Sequence, residues 1–410
     1  MASTDYEPRA RSGAASPEPG RSTLVVMKFG GSSVGDPDRL KAVAQRLVAA
    51  RQAGNRVVAV LSAMGDTTDE LIELARRISP HPKPRAMDML ISVGERISGA
   101  LAEMALHDLG HEAVSLTGSQ AGIVTDTVHG KAKIVDIRPR RIHEALDEGK
   151  IVLVAGFQGI STDFDITTLG RGGSDTTAVA LAAALGADVC EIYTDVEGVF
   201  TADPRIVPEA RKLELLSFEE MLEMASSGAR VMATRAVEVA RIHNVTLQVR
   251  STFSDREGTW IREEDESMLE KALISGVVHQ REETVYRVSG ITAARLFGAL
   301  ADASVNVDTI VQSGDDIVFS APVEDRDDAR ATLEQLGVEY TSRDDLGKVS
   351  LVGAGMKSHP GVAAKTFATL DAAGIASPLV TTSPIKIACH VASTDVDRAV
   401  QALHEAFELG

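Results

Sequence analysis

The stretch "LVVMKFGGSSVGDPDRLKAVAQRLVAARQAGNRVVAVLSAMG", residues 24–65, decides the fold class of this 410-residue chain. It begins with a short apolar run, 24–29, which predicts a β-strand that ends in a glycine turn. A helical stretch, 39–54, follows, and a second apolar run begins at Arg56. Strand, helix and strand in this order are typical of a parallel sheet with crossover helices. The sequence therefore predicts an α/β fold.

The same alternation continues along the chain. Further apolar runs predict strands at "EAVSLTG", "IVLVAGFQG", "VCEIYTDVEGVF" and "VTLQV", and helical patterns occur at 85–109, 139–148, 174–186, 217–227 and 229–242. Ser217 and Glu220 have the spacing of a capping box at the start of one of these helices. We therefore expect one α/β domain over 23–253, after a disordered tail at 1–22 and before a linker at 254–283.

The C-terminal part of the chain contains an internal repeat. The segments "AARLFGALADASVNVDTIV", from Ala293, and "AAKTFATLDAAGIASPLV", from Ala363, match with a constant offset. The matched apolar pairs are Phe297 with Phe367, Leu300 with Leu370, Ala303 with Ala373, Val305 with Ile375 and Ile317 with Ile387. Each copy reads as strand, loop, helix, strand and strand, which predicts two small α+β modules over 284–345 and 346–410.

The composition narrows the function classes. A formal net charge of −17 argues against nucleic-acid and anionic membrane partners, because both need basic patches. No run reaches the roughly 20 apolar residues that span a bilayer, and residues 1–22 lack the apolar middle of a secretory signal. Cys190 and Cys389 lie inside apolar runs, so we expect buried thiols in a reducing cytoplasm.

Two glycine-rich turns contain the residues best suited to chemistry. "KFGGSS", 28–33, follows the first strand, and "GRGGSD", 170–175, opens a helix. Such turns bring backbone N–H groups and a helix N-terminus together, which suits phosphate. Arg171 in a bare loop indicates a negatively charged ligand. A tight turn with a solvated lysine is the alternative for the first turn alone, and the presence of two such turns favours anion binding.

Other families that bind phosphate or dinucleotides do not fit. The sequence lacks G-x-x-x-x-G-K-[ST], so it is not an ordinary P-loop enzyme, and it lacks the H-R-D and D-F-G motifs of protein kinases. "GAGMKS", 353–358, resembles a dinucleotide fingerprint only superficially, because Ser358 stands where the last glycine or alanine belongs.

The set of motifs resembles one family closely. "KFGGSSV", "LSAMGDTTDEL", "GERISGAL", "GFQG", "TTLGRGGSDTTA" and "TDVEGVFTADPRIVPEARKL" are similar, in sequence and order, to the motifs of the aspartate kinases within the amino-acid kinase family. The repeat resembles the paired ACT regulatory domains of the lysine- and threonine-sensitive members. The resemblance implies a three-layer αβα fold with a mainly parallel central sheet, followed by two ferredoxin-like ACT modules. It also implies a homodimer or higher oligomer formed through those modules.

The reaction implied by this resemblance converts ATP and L-aspartate into ADP and 4-phospho-L-aspartate, the first step towards lysine, threonine and methionine. Its nucleophile is a carboxylate with an unperturbed pKa of about 3.9, which is ionised at neutral pH and needs no general base. The obstacle is repulsion between two anions, so catalysis consists of positioning and charge neutralisation. Mg²⁺ is expected to arrive with ATP, bound mainly by phosphate oxygens and water.

The motif match implies a role for individual residues. Lys28 would lie against the phosphates at the point of attack, and Asp175 would orient Lys28 and the departing phosphate. Arg171 would bind the α-carboxylate of aspartate, and Glu95 its α-ammonium. The other expected substrate contacts are Thr67, Thr68, Gly172, Gly173 and Ser174. The other expected nucleotide contacts are Phe29, Gly30, Gly31, Ser32, Ser62, Thr194, Asp195, Phe200, Asp203, Arg205 and Arg230.

Simpler interpretations exist for single positions. Glu95 alone could be an exposed helix carboxylate, and Asp175 alone could be an acid that favours a helix N-terminus. Arg230 stands where family members often have lysine, which preserves the charge but changes the geometry. The functional interpretation depends on the joint pattern.

The first repeat departs from the ACT pattern. "VYRVSGITAARL" is shortened and lacks an Asp-x-Pro-Gly turn, whereas the second copy retains "GAGMKSHPG", 353–361. We therefore expect that a threonine or lysine effector at the ACT interface acts weakly or not at all.

Two other functions remain open from the sequence. An N-acetylglutamate or glutamate kinase is disfavoured by the contexts of Glu95 and Arg171 and by the double repeat. A catalytically silent amino-acid sensor is disfavoured because Lys28, Arg171 and Asp175 are all intact.

Overall fold

The computed structural model describes residues 22–229, 231–264, 273–354, 356, 359 and 361–410. In chain order, its strands are β1 (Leu24–Phe29), β2 (Arg56–Leu61), β3 (Ala113–Leu116), β4 (Ile123–Thr125), β5 (Ile134–Ile137), β6 (Ile151–Ala155), β7 (Gln158–Ser161), β8 (Ile166–Thr168), β9 (Val189–Thr194), β10 (Leu215–Ser217), β11 (Leu247–Ser251), β12 (Thr259–Arg262), β13 (Gly276–Ser289), β14 (Ile310–Ser313), β15 (Asp316–Pro322), β16 (Tyr340–Val352), β17 (Leu379–Ser383) and β18 (Lys386–Ala392). Its α-helices are α1 (Pro37–Gln52), α2 (Thr67–Ile78), α3 (Pro84–Ile91), α4 (Val93–Asp108), α5 (Arg140–Asp147), α6 (Gly173–Leu185), α7 (Phe218–Ser226), α8 (Thr234–His243), α9 (Ala293–Asp302), α10 (Arg326–Leu336), α11 (Val362–Ala372) and α12 (Val396–Ala406).

The N-terminal unit is built on an eight-stranded sheet with the order β10-β12-β11-β9-β1-β2-β6-β3. β1 pairs in parallel with β2 on one side and with β9 on the other. β12 runs antiparallel to β11, and β10 runs parallel to β12. The predicted α/β fold with a mainly parallel sheet is therefore confirmed. The carboxyl ends of β1, β2, β6 and β9 meet at one edge, where open α/β sheets bind their ligands.

Helices cover both faces of this sheet. On one face, α1 and α4 bury an apolar cluster that includes Val43, Leu47 and Leu106. On the other face, α6, α7 and α8 bury a second cluster that includes Val179 and Met221. This is the expected three-layer αβα arrangement. A smaller sheet with the order β5-β4-β7-β8 contains the strand that leads into the loop around Arg171.

Local sequence signals set the helix starts that matter for the site. Ser217 and Glu220 form the predicted capping box of α7. α6 begins directly after Gly172, whose φ of 69° lies in the left-handed region. A Cβ atom on Gly172 would lie 2.3 Å from the Cβ of Ala233. The turn therefore needs glycine for its conformation and for its space.

The C-terminal unit is one six-stranded sheet with the order β14-β15-β13-β16-β18-β17. Its two long central strands are shared between the repeats. Residues 276–280 of β13 pair with 348–352 of β16, and residues 283–288 pair with 340–346. α9 and α10 cover the first repeat, whereas α11 and α12 cover the second. The predicted pair of α+β modules is present. The sheet of the second module also includes residues 276–280 of β13, which come before the first module in the chain.

The segment expected as a linker, 254–283, contributes strands to both sheets. It contains β12, which joins the N-terminal sheet, and the first part of β13, which joins the C-terminal sheet. The reason is burial, since Thr259, Ile261, Val277 and Val278 are all buried. The expected tail at 1–22 falls almost entirely outside the described residues, with only Ser22 inside them.

Both cysteines are buried free thiols, as predicted. Burial raises the pKa of Cys389 to about 11, and it raises the pKa of Cys190 further. Within the described residues, no helix combines the length and the apolar character needed to cross a membrane.

Candidate active site

An ion pair marks the centre of the ligand-binding edge. Lys28 Nζ, at the end of β1, lies 2.7 Å from Oδ1 of Asp175 in the first turn of α6. The other carboxylate oxygen of Asp175 accepts the backbone N–H of Ala233 at 3.0 Å. Both side chains of the pair are mostly buried, with 13% and 10% exposed. Asp175 thus holds the lysine ammonium in place beside the start of a helix, a position that favours anions.

The first glycine turn lies against this ammonium. A Cβ on Gly30 would be 3.4 Å from Lys28 Nζ. Gly31 O accepts the N–H of Gly65 at 3.1 Å, which draws the loops after β1 and β2 together. Ser32 is exposed. The turn therefore brings main-chain groups and a cation to the same point.

Glu95 is a buried carboxylate without a full set of partners. It lies in the first turn of α4 and is 3% exposed, and its Oε2 has no hydrogen-bond partner among the described residues. Burial raises the pKa of Glu95 to about 7, against the opposing effect of the N–H groups of Glu95 and Ala63. A Cβ on Gly94 would lie 2.6 Å from the Cβ of Ala63, so glycine allows α4 to approach the end of β2 this closely. This carboxylate could therefore accept a hydrogen bond from the ammonium group of a ligand.

Arg171 presents the opposite charge. It lies in the loop between β8 and α6 and is exposed, and no other described residue forms an ion pair or hydrogen bond with its side chain. The loop itself is held firmly, since Leu169 N–H binds Phe157 O at 2.9 Å and Arg235 Nη1 binds Leu169 O at 3.3 Å. A fixed loop with a free guanidinium suits a carboxylate ligand.

The other expected substrate residues lie around these groups. Thr67 is at the start of α2, beside Gly94, and its hydroxyl donates to Met64 O at 2.6 Å. Thr68 follows it and is half-buried. Ser174 is buried against Gly156, at the end of β6. Gly172 and Gly173 form the N-terminus of α6.

The expected nucleotide residues continue along the edge from β9. Thr194 Oγ1 donates to Asp195 Oδ1 at 3.0 Å, and Tyr193 O accepts the N–H of Gly30 at 3.4 Å. The ring of Phe29 is fully buried and stacks on Tyr193 with centroids 4.7 Å apart. Phe29 can therefore reach a ligand only through its main chain, where its carbonyl already accepts the N–H of Ser62.

The segment after β9 forms a second charged group. Asp203 and Arg205 pair at 2.7 Å, and this guanidinium lowers the pKa of Asp203. Phe200 is half-buried and pairs with Lys212 in an isolated β-bridge. Arg230 lies outside the described residues.

This segment also packs against the C-terminal unit. Thr201 O accepts the N–H of Val277 at 2.7 Å, and Thr201 Oγ1 lies 2.9 Å from His404 Nε2. Ile206 O accepts Nε2 of Gln401 at 2.9 Å. Ala202, Ile206 and Val207 belong to the apolar cluster of the second module.

The described residues around the site form no protein cage for a metal. Among the described residues, no three His, Cys, Asp or Glu side chains come together as ligands. Asp175 is engaged by Lys28 and Ala233. A Mg²⁺ ion that arrives with ATP fits this edge only if phosphate and water supply most of its ligands.

Sequence reasoning missed one group near the site. Asp88 in α3 is fully buried and binds His129, Gly130 and Thr168. An acid within the apolar run "MDMLI" was the available signal, because an unpartnered buried carboxylate is costly.

Comparison with known proteins places the chain in a family. A model described as "Amino acid kinase family" matches residues 23–251, and one described as "ACT domain" matches 349–407. The aspartokinase of Mycolicibacterium smegmatis is 54% identical over 409 residues, covering 94% of this chain and 96% of the relative. The chain belongs to the aspartokinases of the amino acid kinase family.

Solved aspartokinases share the fold. Escherichia coli aspartokinase III in complex with aspartate and ADP (R-state) matches with a TM-score of 0.83 at 24% identity, over 93% of this chain and 99% of that one. The same enzyme in complex with lysine and aspartate (T-state) matches with a TM-score of 0.73 at 25% identity, and the match covers 94% of this chain and 99% of that one.

Proposed function

We propose that this aspartokinase transfers the γ-phosphoryl group of ATP to the β-carboxylate of L-aspartate, giving 4-phospho-L-aspartate and ADP. The observation that carries the proposal is the arrangement at one sheet edge. The Lys28–Asp175 pair lies beside a glycine turn, and an unpartnered buried carboxylate and a free guanidinium flank it. The same substrate is supported by relatives that are named aspartokinase and that match nearly the whole chain.

The two ends of the amino acid are bound by opposite charges. The α-ammonium of aspartate supplies the cation that Oε2 of Glu95 lacks, and the guanidinium of Arg171 forms paired hydrogen bonds with the α-carboxylate. Thr68 and Ser174 are the further side chains that we assign to the substrate. Binding at both ends leaves the β-carboxylate as the free nucleophile.

The transfer needs charge neutralisation and no proton removal. A β-carboxylate oxygen forms a bond to Pγ while the bond from Pγ to the bridging oxygen breaks, and ADP leaves with that electron pair. Lys28 lies between the two anions and stabilises charge that grows in the transition state. Asp175 keeps the ammonium at this point through its 2.7 Å ion pair.

The nucleotide is proposed to lie along the ends of β1 and β9. Main-chain N–H groups of Gly31 and Ser32 bind phosphate, and the segments 194–195 and 200–205 surround the base and ribose. Mg²⁺ bound to the phosphates supplies further charge neutralisation.

Two alternatives are tested by one experiment. An N-acetylated substrate has no ammonium and would leave Glu95 buried without a cation, whereas a silent sensor would phosphorylate nothing. A coupled ADP-release assay compares aspartate, glutamate and N-acetylglutamate. We expect turnover with aspartate, while activity confined to another acid, or no activity at all, would refute the proposal.

We also propose weak feedback control and an oligomer formed through the ACT modules. E. coli aspartokinase III has been solved with lysine bound. Here, however, the connection from β13 to α9 covers only 290–292, whereas the matching connection from β16 to α11 covers 353–361. The short connection leaves little backbone to enclose an effector. Strong inhibition by millimolar threonine plus lysine would contradict this.

A further inference from the structure

Asp88 is a carboxylate near the substrate loop with hydrogen-bond partners from three residues. It is fully buried in α3. Its Oδ1 accepts the hydroxyl of Thr168 at 2.6 Å, and its Oδ2 lies 2.7 Å from His129 Nδ1. The N–H of Gly130 is shared between the two oxygens at 3.1 and 3.2 Å. Such charge-assisted hydrogen bonds are strong when buried.

The hydrogen bond between Asp88 and Thr168 connects α3 to the loop that contains Arg171. Thr168 is the last residue of β8, and the loop with Arg171 follows it directly. Thr168 O accepts the N–H of Ala132, so the strand end is fixed on two sides. The hydroxyl bond to Asp88 therefore fixes where the loop with the guanidinium begins.

The helix that contains Asp88 is also connected directly to the helix that contains Glu95. α3 ends at Ile91, and Ser92 alone separates it from α4, which has Glu95 in its first turn. Ser92 N–H binds Asp88 O at 3.1 Å, and Gln158 Nε2 binds Ser92 O at 2.7 Å. One short segment therefore contains both Asp88 and Glu95, and both of these side chains are buried.

We propose that Asp88 is a positioning residue that sets the distance between Glu95 and Arg171 and thereby selects an amino acid of the length of aspartate. The inference rests on the proposed function, because it assigns the two ends of the substrate to those residues. Asp88 does not contact the substrate. Its effect is on how well the two binding groups are spaced, and so on affinity and selectivity.

The test compares a buried and an exposed link between the same elements. Asp88→Asn keeps the shape but removes the charge. The matched control is Asp165→Asn, since Asp165 joins the β7–β8 turn to Arg85 of α3 in an exposed ion pair that contributes little. Both variants are assayed as full chains for KM with aspartate and with ATP, for kcat, and for kcat/KM with aspartate relative to glutamate.

We expect Asp88→Asn to raise KM for aspartate roughly tenfold and to lower selectivity over glutamate roughly tenfold, with KM for ATP within about twofold of wild type. Asp165→Asn should match wild type. If Asp88→Asn fails to fold, Thr168→Val removes one of the three donors and should shift KM for aspartate in the same direction.

The outcomes separate the two proposals. If wild type does not phosphorylate aspartate, the proposed function fails. If wild type is active but the folded variant keeps its KM for aspartate and its selectivity, the positioning role is wrong. A parallel loss in both KM values, kcat and thermal stability would mean that Asp88 is only a structural anchor, which also overturns the proposal.

Discussion

Replacement of Glu95 by Gln should abolish a pH dependence of aspartate binding. Burial raises the pKa of Glu95 to about 7, so the carboxyl is half protonated near neutrality in the free enzyme. Only the ionised form can pair with the α-ammonium. Apparent affinity should therefore fall as the pH drops below 7, by close to tenfold per unit once protonation dominates.

The magnitude follows from the ionised fraction. With a pKa of about 7, Glu95 is about nine-tenths ionised at pH 8 and about one-tenth at pH 6. KM for aspartate should rise roughly tenfold between these values in wild type. In Glu95→Gln, KM for aspartate at pH 8 should exceed the wild-type value by roughly one to two orders of magnitude. It should not vary with pH.

The free energy of unfolding gives an independent check, because it should fall with rising pH whereas the affinity for aspartate should increase. The pKa rises from 4.5 in the unfolded chain to about 7 in the fold, so the native state binds the extra proton between these values. The free energy of unfolding should fall as the pH rises through this window, by at most about 3 kcal/mol. Glu95→Gln should remove that loss, making the variant more stable than wild type at pH 8 but not at pH 4.

Initial rates over pH 6–8 and urea denaturation at pH 4 and pH 8 measure both effects. A wild-type KM for aspartate that does not vary over this range, or a Glu95→Gln variant that keeps the wild-type slope, would refute the assignment of the ammonium to Glu95.

Three further substitutions test other parts of the site. Lys28→Ala should lower kcat by about 10²–10³ with a much smaller change in KM for aspartate, because its interaction grows in the transition state; steady-state kinetics showing mainly a KM effect would contradict this. Arg171→Ala should chiefly raise KM for aspartate, by roughly 10–100-fold, and calorimetry that finds unchanged aspartate affinity would exclude its role. Gly172→Ala should lower the free energy of unfolding by about 1–3 kcal/mol, because a Cβ would meet Ala233 at 2.3 Å and φ is 69°. Its control, Gly54→Ala, has a φ of 93° but open space, so urea melts should show a smaller loss.

The sequence predicted the central sheet well because its signals are local. The central strands β1, β2 and β6 are short, mostly apolar runs, and the turn after β1 has its own glycines. The Ser217–Glu220 capping box was likewise visible in the residues themselves. Strand pairing across the repeats is non-local, so the sharing of β13 and β16 could not be derived from the pattern.

The same distinction applies to the site. Lys28 and Asp175 could be brought together only through the motif resemblance, and the structure places them 2.7 Å apart. The burial of Glu95 depends on α4 approaching Ala63, which no local spacing reveals. Asp88 was missed because an acid in a helix is usually solvated, and its donors come from two distant segments.

The packing of Thr201, Ala202, Ile206 and Val207 on the C-terminal unit means that the N-terminal unit is not separable. A chain cut after β12 would leave the apolar side chains of Ala202, Ile206 and Val207 in water. It would also remove His404, Val277 and Gln401 from their hydrogen-bond partners. Truncated to its kinase half, the enzyme should aggregate on expression and lose ATP affinity, even though every residue proposed to bind substrate would still be present.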